Sequence, residues 1–114
     1  MLRVEVMGLN DSVSREPTAD ELARMEQLLE KGMREGYIGF STDALPFHFL
    51  ANAPNTRKQI PTQFAPYGEL KRLTGVVRRW GRLWQATPPK DNKLAIFRNF
   101  LLRNDLVYNS EKRF

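Results

Sequence analysis

Apolar and charged positions alternate from the second residue onward. Leu2-Arg3-Val4-Glu5-Val6-Met7 has the period of a half-buried strand, and a strand is predicted there. A polar connection rich in turn formers, Gly8 to Pro17, follows. At Thr18 the period changes. Leu22, Met25, Leu29 and Met33 recur at helical spacing and make a single apolar stripe. Thr18 and Glu21 are spaced as a capping box, in which the hydroxyl and the carboxylate each satisfy an amide of the first turn. Asp20 and Glu21 suit the positive end of the helix dipole, and Gly36 stands where a left-handed cap would end it. Tyr37-Ile38-Gly39-Phe40-Ser41 is short and apolar, as a buried strand is.

Residues 43–66 contain Pro46, Pro54, Pro61 and Pro66 and few periodic positions, which predicts a long loop. Loops of that length in a compact domain are usually functional or disordered. Pro66 suits the first position of a second helix, where its missing N–H costs nothing. Leu70, Leu73, Val77 and Trp80 form the inward stripe of that helix, and Gly81 stops it. Leu83 to Ala86 reads as a third strand, closed by Thr87-Pro88-Pro89. A third helix is predicted from about Asn92 to Arg103, with Leu94, Phe97 and Leu101 inward. Leu106-Val107-Tyr108 would be a fourth strand.

Strands alternating with helices imply an α/β fold of parallel strands joined by crossover helices. About three βα units make either an open Rossmann-like sheet or a part of a TIM-like barrel. We take the barrel segment as the expectation, a single partial α/β domain over residues 1–114.

Composition narrows the chemistry. Seven Phe, three Tyr and two Trp are enough for a real core, so composition does not indicate disorder. With no cysteine there is neither a disulfide framework nor a thiolate metal site, and a reducing, cytoplasmic setting is the simplest expectation. No apolar run approaches the roughly 20 residues a membrane span needs, and MLRVEVMGLN does not read as a secretory signal. Charge is unevenly spread. Residues 1–36 hold eight acids and five bases, while residues 57–103 hold eleven bases and two acids. Such a split can mark an anionic partner, so a small basic module for nucleic acid or another anion is the alternative reading. The plainer reading makes Lys71, Arg72, Arg78, Arg79 and Arg82 a solvated helix face. Trp80 and Trp84 interleave with these cations, but both are predicted to face inward, where they cannot stack on bases. Nucleic acid is therefore not the expected partner.

Ser41 and Thr42 close a predicted parallel strand at its carboxyl end, where ligands bind in barrels and open parallel sheets. Their structural alternative is strand termination by bonding to the backbone. His48, the only histidine, lies in the long loop within Pro46-Phe47-His48-Phe49-Leu50. It can act as an acid or base near neutrality, or anchor a packed loop. A metal-free hydrolase using Ser41 or His48 is a third reading, with no partner residues to give it geometry.

Several phrases, taken in order, resemble the amidohydrolase superfamily, in its N-acyl-D-amino-acid deacylase branch. They are Val6-Met7-Gly8, Arg15-Glu16-Pro17-Thr18-Ala19-Asp20-Glu21-Leu22, Gly32-Met33-Arg34-Glu35-Gly36, Gly39-Phe40-Ser41-Thr42, Pro66 to Leu73, and Trp84-Gln85-Ala86-Thr87-Pro88. The likeness spans roughly residues 4–90 and would cover only a middle part of a full-length member. It implies a distorted eight-stranded barrel that hydrolyses the amide of an N-acyl amino acid with zinc, and places the Ser41 and Thr42 hydroxyls on the substrate side; His48, outside the matching phrases, is a third candidate for substrate binding. The family's metal ligands lie in an HxH pair, a bridging residue, two further His and a late Asp, none of which stands in this sequence. A catalytic zinc takes three protein ligands, mostly imidazole. One histidine cannot supply them, so the chain alone is expected to bind no metal and to be inactive. After Thr42 the family continues with Gly-Leu and a nearby Tyr, where this chain has Asp43-Ala44-Leu45-Pro46-Phe47-His48. Open parallel strand edges recruit further strands, so self-association or docking with a complementary barrel segment is expected.

Overall fold

The computed structural model describes residues 1–43, 45 and 47–87. Within them the chain is mixed α/β, with helices α1 (Leu2–Met7), α2 (Leu9–Ser12), α3 (Ala19–Arg34) and α4 (Tyr67–Arg79), and strands β1 (Gly39–Thr42) and β2 (Leu83–Ala86). A 3₁₀ turn, Pro61–Phe64, precedes α4. The expected helix near 92–103 and strand near 106–108 lie outside the described residues.

The first element corrects the sequence reading: Leu2–Met7 is helical. Alternation had assigned Arg3 to the solvent side, yet Arg3, Val6 and Met7 are all buried. Leu2 with Val6, and Arg3 with Met7, are helical neighbours that together face inward. What made the segment look like a strand was a charged residue whose partner lies far along the chain. Arg3 is 3% exposed and forms an ion pair with Glu69 of α4, itself 2% exposed. The same guanidinium donates to the carbonyls of Ser12, at 3.2 and 3.3 Å, and Arg15, at 2.8 Å. One side chain thus pins α1, the α2 turn and α4 together.

Helix α3 starts as its sequence predicts. The Thr18 hydroxyl accepts from the Glu21 amide at 3.2 Å, and the Glu21 carboxylate accepts from the Thr18 amide at 2.8 Å. Both long helices end in the same way. Gly36, at φ +103°, donates to Met33 while Tyr37 donates to Gly32. Gly81, at φ +59°, donates to Arg78 while Arg82 donates to Val77. These are paired Schellman closures, for which a glycine beyond the helix end is the residue with least steric cost. Pro66 sits one position earlier than expected, as the N-cap of α4.

The stripes of α3 and α4 pack on each other, with Met25, Leu29, Met33, Leu70, Leu73, Val76 and Val77 buried beside Val6, Met7 and Trp84. Strands β1 and β2 pair in parallel, with Gly39 opposite Leu83 and Thr42 opposite Ala86. Gly39 is required there, because a Cβ would collide with the Leu83 carbonyl. Phe40 and Ala86 pack against the helical core beside Trp84, whereas Ser41, Leu83 and Gln85 are exposed. The expectation of strands buried on both faces is corrected: one face of the pair is covered and the other is open. Ile38 is 78% exposed and Leu83 60%.

Candidate functional site

The carboxyl ends of β1 and β2 converge on a connected set of polar side chains. Thr87 follows β2 and ties the two strand ends, its amide donating to the Thr42 carbonyl at 3.2 Å and its hydroxyl to Asp43 Oδ1 at 2.7 Å. The Trp84 indole N–H donates to the Thr42 hydroxyl at 3.0 Å. Asp43 Oδ1 also accepts from the Leu45 amide at 2.9 Å, and Asp43 Oδ2 pairs with His48 Nδ1. Burial raises the Asp43 carboxyl, but the Leu45 amide, the Thr87 hydroxyl and His48 together outweigh it and hold the group below the usual carboxylate range.

The loop that carries His48 is held from several sides. The His48 amide donates to the Leu45 carbonyl at 3.1 Å. Gln63, on the 3₁₀ turn before α4, donates to the Leu45 carbonyl at 2.5 Å and to the His48 carbonyl at 3.3 Å. The Phe47 ring stands perpendicular to the imidazole, centroids 5.0 Å apart. The imidazole therefore has a set position at the strand ends, with 43% of its side chain exposed.

Of the residues singled out from sequence, Thr42 and His48 belong to this set, joined through Asp43 and Thr87. Ser41 does not. Strand alternation turns it away from Thr42 onto the open face, where Ile38, Gly39, Phe40, Ser41, Leu83 and Gln85 line a groove of about 280 Å³. Asp43 was missed. Its signal was available, an acid at a strand end five residues before the sole histidine, but without geometry that spacing does not separate a pair from a coincidence.

No protein-family model and no solved structure matches the chain. It is similar to uncharacterized proteins of Mycobacterium bovis and of two strains of Mycobacterium tuberculosis, at 32% identity over 114 residues. The alignment takes in 97% of this chain and 18% of each relative. The chain thus spans less than a fifth of the length of the curated relatives it matches.

Among the described residues no three His, Cys, Asp or Glu side chains come together as a metal ion needs. Asp43 and His48 are two donors turned on each other, so these residues do not fit a zinc centre by themselves. Two cations of α4 pair with acids of α3. Arg72 pairs with Glu26, and Arg79 reaches Glu30 at 3.3 Å. The Trp80 indole N–H donates to the same Glu30 at 2.8 Å, and Trp84 is 7% exposed. Lys71, Arg72, Arg78 and Arg79 are all exposed, as a solvated helix face requires, and the Arg72 and Arg79 pairs join that face to α3 at the surface. No helix among the described residues is long and apolar enough to cross a membrane.

Proposed function

We propose that this chain is one part of an amidohydrolase-type barrel, whose whole hydrolyses the amide bond of an N-acyl amino acid with zinc, and that alone it is inactive. The observation that carries this reading is the parallel pair β1–β2, joined through α4, packed on its helices by one face and open on the other. In a closed barrel the outer face of each strand meets helices and the inner face meets other strands' side chains. The phrase Gly39-Phe40-Ser41-Thr42, one of those that carry the family resemblance, is the whole of β1. The length of the relatives leaves room for the remaining strands.

On this reading Ser41 looks into the barrel, while Thr42 and His48 stand at the carboxyl rim where substrate enters. The zinc ligands would come from segments other than the described residues, and the open strand edges would be met by those segments or by a second copy. The test is a chimera in which this chain replaces the matching segment of the Mycobacterium tuberculosis relative. Parent and chimera should retain zinc and release amino acid from N-acetyl amino acids, while the chain alone does neither. A parent without zinc or amidase activity overturns the reading. So does chelator-sensitive hydrolysis by the chain alone.

A further inference from the structure

We propose that Asp43 and His48 form a proton-transfer pair at the carboxyl ends of β1 and β2, with His48 Nε2 as acceptor for the proton of a bound O–H donor, water or a ligand hydroxyl. The strand ends are tied without His48, through Thr87 to Thr42, Thr87 to Asp43 and Trp84 to Thr42. Asp43 Oδ1 serves that tie and the Leu45 amide, whereas Oδ2 meets the imidazole. A packing role for residue 48 would need neither a titratable ring nor a carboxylate facing it.

The chemistry follows from the donors and acceptors. An ionised carboxylate can only accept, so Nδ1 must carry the proton that joins the pair. In the neutral ring Nε2 then keeps its lone pair. When Nε2 takes a proton from an O–H donor, the ring becomes an imidazolium and the Asp43 carboxylate beside it balances the charge. The same proton returns from Nε2 when the reaction closes. Asp43 acts through His48 and is the positioning residue, as a carboxylate is wherever it fixes an imidazole tautomer. The Gln63 contacts and the Phe47 ring fix the loop and the ring plane, so orientation is set before any ligand arrives. This goes beyond the barrel reading, since it needs neither zinc nor a complete barrel.

His48 is the only histidine, so its signals are unambiguous in the full chain. Nitrogen-15 spectra of the neutral ring should show the proton on Nδ1 and none on Nε2. Diethyl pyrocarbonate, which acylates an unprotonated imidazole nitrogen, should modify Nε2 of the folded protein. Asp43→Ala should abolish the preference for the Nδ1–H tautomer. A wild-type ring protonated at Nε2 overturns the proposal whatever the variant does. An Asp43→Ala variant that keeps the wild-type tautomer overturns it too, as does modification that occurs only after unfolding. None of these readouts depends on amidase activity, so failure here and failure of the barrel reading are distinct results.

Discussion

Arg3 and Glu69 meet in a place where neither could stay alone. Charges leave water at a cost that only close pairing and full hydrogen bonding offset. Burial pushes the Glu69 carboxyl up from its ordinary range, against the pull of Arg3. Arg3→Met leaves that carboxylate without its cation and takes the donor from the Ser12 and Arg15 carbonyls. Urea unfolding at neutral pH should show a loss of about 3–5 kcal/mol. A protonated Glu69 needs no cation, so the deficit should shrink as pH falls. The double variant Arg3→Met, Glu69→Met should lose less than Arg3→Met alone, because no unpaired charge remains. A double variant at least as unstable would mean that the carbonyl contacts, not the ion pair, hold α1. Nothing in the sequence showed this pair. Its members are 66 residues apart, and a charged residue in an apolar run reads as solvent-facing until its partner is known.

The elements whose signals were local were legible, and those that depended on distant partners were not. Thr18, Glu21 and Gly36 delimit α3 by chemistry confined to one helical turn at each end, so its bounds could be read directly. For α1, six residues could not discriminate two periods once Arg3 was misplaced. At the candidate site Thr42 and His48 could be singled out by position and residue type, but Asp43 and Thr87 become partners only when two strand ends meet. The capping box also carries a pH signature. Arg15, donating to both Glu21 oxygens at 2.8 Å, and then the Thr18 amide lower the Glu21 carboxyl from 4.5 to about 2. A group lowered on folding contributes stability above its ordinary value and loses it as pH falls through the lowered one. Helicity followed by circular dichroism should therefore decline on acidification toward pH about 2. Glu21→Gln, which can still reach the cap amide but cannot titrate, should flatten that decline. An unchanged acid profile would place the sensitivity elsewhere.

For the whole molecule the feature that matters is the asymmetry of the sheet. One face is sealed by the helical core, and the other presents Ile38 and Leu83 to solvent. If that face meets further strands, as the barrel reading holds, the isolated chain should self-associate through it. Leu83→Lys should then move the chain toward monomer in sedimentation equilibrium. Its stability should change by no more than about 0.5 kcal/mol, since an exposed side chain away from special contacts is replaced. A wild-type chain that sediments as a monomer at every concentration would remove the open face from consideration as an interface.

The two glycine-closed helix ends have a consequence for how such a molecule could grow. Helix α3 leads through Gly36 into β1, and α4 leads through Gly81 into β2, with joints that differ by one residue in length. One hinge design is thus used twice, and each use lays a strand parallel to its neighbour. Tandem duplication of a helix–glycine–strand module would extend the sheet without any new connection having to be invented. Ancestral enlargement of this architecture, or its deliberate lengthening in the laboratory, could proceed one module at a time.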